Sequence, residues 1–264
     1  MIIEYDLTKT PFENAEIYYS KVKKLKQKLN NLIAQISKVE EELNKVEAEI
    51  LFERKKLEKK RKKKWYEKFR WFFTSNDFLL IAGKDASTNE ILIRKYLEKS
   101  DLVFHADIRG SPFGILKNGI NANEIDIVEA AQFVASYSRA WKQKINAIEV
   151  YYVYPNQVSK KAPAGEYLPK GSFMIYGEKN FLHVELEVAI GVSPDGEVVP
   201  GVPSSVSKRT NKYVVLVPGD IKPSDIARKV SHMLSLDVDS VQKFVPGESD
   251  IKEISKALRS KQKY

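Results

Sequence analysis

The 264-residue chain is 43% hydrophobic and has three histidines and no cysteine, which excludes disulfides, thiolate nucleophiles and cysteine-bearing zinc sites. Its net charge of +9 is unevenly placed: "ERKKLEKKRKKKWYEKFR", residues 53–70, holds eleven Lys/Arg against three Glu, a net of +8, so the remainder is nearly neutral. Charge concentrated in this way is the footprint of a phosphate-binding protein.

The first predicted element is a long helix. In "TPFEN", Thr10 is suited to the N-cap, Pro11 to the first helical position, and Glu13 follows the cap by three residues. Apolar residues then recur at Tyr18, Val22, Leu25, Leu29, Leu32, Ile36, Val39, Leu43, Val46 and Ile50, with steps alternating between four and three. This seven-residue repeat is a coiled-coil signal. Neither Gly nor Pro interrupts Phe12 to Thr74, and a helix over that whole stretch would span on the order of 90 Å. No second heptad stripe follows, so a homodimer through the coil is one expected partner. No apolar run approaches the roughly 18 residues of a membrane span.

The repeat fades into the basic run of Arg54, Lys55, Lys59, Lys60, Arg61, Lys62, Lys63 and Lys64, expected to capture RNA electrostatically. "WYEKFRWFF" follows, and so dense an aromatic cluster is expected to seat a helix end on a globular core. From Thr74 the pattern turns mixed. "DFLLIAG" reads as a strand, and "ASTNEILIRKYLE" as a helix capped by Ser87 or Thr88. "DLVFHADI" and "GILKNG" read as paired strands joined across Gly110–Gly114, "EIDIVEAAQFVASYSRAWKQK" as one small-residue-rich helix, and "AIEVYYVYP" as a strand. "QVSKKAPAGEYLPKGSFMIYG" is a turn-rich loop leading to a short strand. The remainder carries a hairpin signal at Asp195–Gly196, the strand "KYVVLVPGD", a helix near Pro223–Leu236, and a helix near Asp250–Arg259 capped by Ser249.

"HADIRG", residues 105–110, is the strongest chemical motif. On a strand, His105 and Asp107 point to one face, as a general base and its orienting acid would, or as two metal ligands. The inventory argues against both. A nitrogen-rich metal site would have to gather His105, His183 and His232 from remote elements, and no metalloprotease, nucleophile-elbow or phosphate-loop pattern is present. A turn presenting Arg109 beside Gly110, Ser111 and Pro112 suits an anion better. Lys84 after a strand, Lys117 on the next strand, and Lys160, Lys161 and Lys170 in a loop extend the candidate RNA-binding set.

Four blocks, "KKKWYEKFRWFFTSNDFLLIAGKDASTNEILIRKYL", "DLVFHADIRGSPFGILKNG", "AAQFVASYSRAWKQK" and "VYPNQVSKKAPAGEYLPKGSFMIYGEKNFL", resemble in order and spacing the NFACT-R domain of the NFACT proteins of ribosome-associated quality control. The resemblance runs from Lys62 to Leu182, and the preceding coil is similar to the family's middle segment, most of all in its archaeal branch. It matches Lys84, Asp85 and Asn89 in the first block. Further on, it matches His105, Asp107, Gly110, Lys117, Asn118, Ser159, Lys160, Pro163, Gly165 and Tyr167. Relatives of NEMF often carry a second histidine where this chain has Arg109. Arginine keeps the cation and weakens two-histidine chemistry.

What the resemblance implies is an RNA-binding role without catalysis, cofactor or metal. The implied partners are the large ribosomal subunit carrying stalled peptidyl-tRNA, and tRNA itself during template-free extension of the nascent chain. No membrane partner is implied, and the location is cytoplasmic. Family members usually begin with a large N-terminal lobe and a helix–hairpin–helix element, so the chain is expected to be a fragment of a longer protein. The expected fold class is α+β, a coiled-coil arm with a basic end at 1–64, an NFACT-R-like domain at 65–182 and an α+β extension at 183–264. The alternative from a different class is a coiled-coil protein–protein scaffold without direct RNA function.

Overall fold

The computed structural model describes residues 6–60, 64–161 and 168–259 and divides into two units, 1–61 and 62–264. The first unit is the helix α1 (Pro11–Lys60) and the turn before it. Its start is a reciprocal capping box: the Thr10 N–H donates to Glu13 Oε2 at 2.7 Å and the Glu13 N–H donates to Thr10 Oγ1 at 3.3 Å. Asn14 in the first turn is buried, exchanging hydrogen bonds of 2.9 Å with the backbone N–H and C=O of Asp6. Fifty residues give a rod of about 75 Å. Nine heptad positions from Val22 to Ile50 remain 47–65% exposed, so none of the described residues of this unit covers the stripe.

In the second unit the uninterrupted helix expected up to Thr74 gives way to other structure. Trp65–Lys68 form a short 3-10 turn, and β1 (Arg70–Phe73) is a strand. The aromatic run explains the change. Tyr66, Phe69 and Phe72 are buried, and Phe72 stacks on Phe133 with ring centroids 4.6 Å apart, an arrangement that strand pairing supplies. Within this unit the cluster packs into the core, with Trp65 stacked on Tyr96 at its edge.

The remaining elements follow in chain order. They are β2 (Leu79–Ala82), α2 (Ala86–Tyr96), β3 (Leu102–Ala106), β4 (Gly114–Leu116), α3 (Glu124–Ser136), α4 (Arg139–Lys142) and β5 (Ala147–Val153). Next come β6 (Val158–Ser159), β7 (Met174–Ile175), β8 (Asn180–Glu185), β9 (Val188–Val192), β10 (Val198–Gly201) and α5 (Pro203–Arg209). The chain continues through β11 (Tyr213–Ile221), α6 (Pro223–Leu234), α7 (Val238–Gln242), β12 (Ser249–Ile254) and α8 (Lys256–Arg259). The expected α+β class is the observed one. A six-stranded antiparallel sheet has the order β1-β2-β4-β3-β5-β8, a four-stranded one β10-β9-β11-β12, and β6 and β7 pair separately.

Helix α3 packs on one face of the larger sheet, and its alanines are the reason it approaches closely: Ala130, Ala131 and Ala135 are fully buried. Gly114 completes the fit, because a Cβ there would lie 2.5 Å from Val134 Cγ2. The opposite face is covered by α2 and the aromatic run, where Leu92, Ile81, Val103, Ile115, Tyr66 and Phe69 form a separate core. On the α3 side the core runs on without a break into β9, β11 and α6. The boundary drawn from sequence at 182/183 falls inside β8.

Three local expectations are corrected. The N-cap of α2 is Asp85 rather than Ser87 or Thr88: Asp85 Oδ1 accepts the Thr88 N–H at 2.8 Å, and Thr88 Oγ1 accepts the Asp85 N–H at 2.9 Å. The helix expected from Glu124 to Lys144 breaks at Tyr137, and Ser138 caps a fresh turn through the Ala140 N–H at 3.2 Å. The first half of the helix expected at 250–259 is the strand β12, paired with β11, and only Lys256–Arg259 are helical.

Candidate nucleic-acid interface

The site is built at the end of the larger sheet where β2 and β3 finish and β4 begins. His105 sits one residue before the end of β3, opposite Tyr151, with its ring against Phe113 at 4.6 Å. Its Nδ1 is buried with no hydrogen-bond partner, and no hydrogen bond joins it to Asp107 among the described residues. Burial pulls its pKa down to about 4, overcoming the smaller opposing effects of the Ala106 backbone and the Asp107 carboxylate. His105 is therefore a neutral packing element at neutral pH, while Asp107 is exposed, its N–H bonded to the Glu149 carbonyl at 2.9 Å.

The turn after it is held from inside. Ser111 Oγ accepts the Ala106 N–H at 2.9 Å, and the Ile108 N–H donates to the Ala106 carbonyl at 2.7 Å. Gly110 takes φ = +90° and lies against the Arg139 side chain, so exposed Arg109 is carried beside a second exposed arginine. The neighbouring loop is stapled to this one: the Gly83 N–H donates to the Phe113 carbonyl at 3.0 Å, and Asn89 Oδ1 accepts the Phe113 N–H at 3.2 Å.

Lys84 projects from that stapled loop. Its pKa is lowered, first by partial burial and then by the charges of Arg70 and Lys243, with Asp85 opposing. Half-buried Arg70 donates from Nη1 to the Gly83 carbonyl at 3.2 Å and lies 4.7 Å over the Tyr137 ring. Lys170 is exposed beside Asp85, whose pKa it helps to lower after the dominant hydrogen bond from the Thr88 backbone. Gly171 makes that approach feasible: it has φ = +77°, and a Cβ would meet the Ala86 backbone at 2.6 Å.

The other sequence-predicted cations are placed differently. Lys117 lies at the far end of β4, paired with fully buried Asp101 at 2.7 Å and with Glu98 at 3.0 Å. Lys160 pairs with Glu90 at 2.8 Å and sits 4.9 Å over the Phe173 ring, pinning its loop to α2. Lys161 and Lys64 are exposed. Arg54, Lys55, Lys59 and Lys60 fall on α1 with their side chains outside the described residues, and Arg61, Lys62, Lys63, Pro163, Gly165 and Tyr167 lie outside them altogether. The structure thus brings Lys84, Arg109 and Lys170 to connected loops at one sheet end and ties Lys117 and Lys160 into the fold. It adds Arg70, Arg139 and Lys243. Of these, only Arg70 stood within the basic segment 53–70 that the charge pattern singled out.

Residues 68–177 match the family described as the NFACT protein RNA binding domain. The chain is 40% identical over 201 residues to the archaeal Rqc2 homolog aRqcH of Methanocaldococcus jannaschii, covering 73% of this chain and 30% of that protein. It is 36% identical over 186 residues to the ribosome quality control complex subunit NEMF homolog of Drosophila melanogaster, covering 69% and 19%. Human NEMF, the ribosome quality control complex subunit, is 36% identical over 176 residues, covering 65% and 16%. The chain spans less than a third of the length of each of these relatives. The four sequence blocks and the family match coincide on one stretch, and with the relatives they show that the chain belongs to the NFACT family.

Proposed function

We propose that the chain is the RNA-binding part of a cytoplasmic ribosome quality-control factor, one that docks on the large ribosomal subunit carrying stalled peptidyl-tRNA and supports tRNA-dependent, template-free extension of the nascent chain. The observation that carries the reading is the gathering of Lys84, Arg109 and Lys170 on internally braced loops, with Arg139 at the start of α4 beside them, in an RNA-binding family domain. The backbone that carries these charges is braced before any ligand arrives, which lowers the ordering cost of the loops on binding. No bond is made or broken in this role. The domain neutralises phosphates and releases their counterions, and the basic run at 54–64 adds sequence-independent attraction.

The test is co-sedimentation of the chain with purified large ribosomal subunits, with and without bound tRNA, across a salt series. Salt-sensitive binding strengthened by tRNA is the expected result, and absence of binding at low salt would refute it. A second reading, a scaffold that pairs through α1, is supported by the exposed heptad stripe. It predicts association that charge reversal of the basic run leaves untouched.

A further inference from the structure

Arg70, Lys84 and Lys243 reach one place from three parts of the chain: the first strand of the larger sheet, the loop before α2, and the residue that ends α7 in the C-terminal part. Two hydrogen bonds fix the arrangement. Arg70 is tied to the carbonyl of Gly83, the residue before Lys84, and stacks on Tyr137. Tyr137 in turn donates from its hydroxyl to the carbonyl of Phe244, the residue after Lys243, at 2.7 Å. Among the described residues none of the three cations forms an ion pair. The carboxylate of Asp85 is near, but it is engaged as the cap of α2.

Three like charges held together, one of them half buried, are unfavourable unless an anion joins them; proteins pair such charges as a rule. A guanidinium with free N–H donors flanked by two ammonium groups suits a tetrahedral oxyanion. We infer that Arg70, Lys84 and Lys243 form a clamp for one backbone phosphate of a bound RNA, and that the C-terminal part, through Lys243, belongs to the RNA-binding surface. The inference rests on the RNA-binding reading above and gives residues beyond the matched 68–177 a share in it.

The experiment uses the whole chain and bulk tRNA as probe, with affinity measured across a salt series for wild type, Lys84→Gln, Lys243→Gln and the double variant. Lys208→Gln combined with Lys212→Gln, at two exposed lysines before β11, serves as the equal-charge control for the double variant. The double variant is expected to bind about tenfold more weakly, as for loss of charge-assisted contacts. Its salt slope should fall by about one unit, the contribution of one phosphate. The control should stay within about twofold of wild type. Equal losses in the control and the double variant would overturn the clamp and leave only diffuse attraction. Wild type that binds tRNA while the double variant is unchanged would overturn the clamp alone, whereas wild type that binds no RNA would overturn the underlying reading. Competition arms identify the source of the anion: displacement of tRNA by inorganic phosphate at constant ionic strength would assign the site to a free anion. Equal competition by poly-glutamate would assign it to an acidic protein. Either result would overturn the inference.

Discussion

Tyr137 donates its hydroxyl proton to the carbonyl of Phe244 at 2.7 Å across 107 residues of sequence. The hydroxyl is fully enclosed, and burial pushes its pKa well above the ordinary phenol value. The bond joins the end of α3, on the larger sheet, to the segment after α7, so it couples the family domain to the residues that follow it. Tyr137→Phe keeps the ring and leaves the Phe244 carbonyl unpaired. The expected loss is about 1–2 kcal/mol, seen as a fall in Tm of roughly 2–8 °C for a protein of this size. An unchanged Tm would mean that the two parts are joined by apolar packing alone.

Lys117 is predicted to be a stability residue. Its partner Asp101 is fully buried and also accepts the N–H groups of Glu98 and Asn118 at 2.8 and 2.9 Å. Lys117→Met removes the counter-charge from a carboxylate that cannot reach water. The expected cost is about 3 kcal/mol in urea unfolding, with RNA affinity of the folded fraction unchanged. A variant of wild-type stability that lost RNA affinity would return Lys117 to the interface.

His105 sets an acid limit. Its folded pKa of about 4 lies below the ordinary value of 6.5, so the unfolded chain binds the extra proton first as pH falls. Stability is therefore complete above pH 6.5 and declines through the interval down to about 4. The loss reaches at most about 3 kcal/mol. His105→Phe, which fills the same aromatic pocket without a titrating group, should flatten this part of the profile. Urea midpoints for both proteins from neutral to acid pH decide it, and parallel curves would show that carboxylates elsewhere dominate acid unfolding.

Local patterns were readable where one local interaction decides the outcome. The capping box at Thr10 and Glu13 and the helical character of α1 involve neighbours in sequence, and both appear as read. The strand β12 was not legible for a particular reason. Ile251 and Ile254 are three apart, as on a helix, but the register pairs them with Leu216 and Val214 and leaves Lys252 as an extra residue. A bulge of this kind shifts the side-chain alternation by one and imitates helical spacing. β1 was hidden differently, because its aromatic residues face both sides of the sheet and show no alternation. In the site, the sequence placed Lys84, Arg109 and Lys170 on loops, but nothing local marks Lys243. Its position depends on the Tyr137–Phe244 bond, a tertiary event.

The heptad stripe makes the last prediction. Nine apolar heptad side chains at 47–65% exposure form a continuous ridge on α1 that a single helix cannot bury. Apolar burial at about 25 cal/mol per Å² favours a second helix in knobs-into-holes contact. For the isolated chain the available partner is another copy of itself. The expected result is a mass by light scattering that rises with concentration toward twice the monomer value. Leu29→Glu with Ile36→Glu should hold the protein at the monomer mass without changing the fold of residues 62–264, because a charge at the seam costs more than the contact returns. A wild-type chain that remains monomeric at high concentration would assign the ridge to a different partner, and with it the scaffold reading would lose its self-association arm.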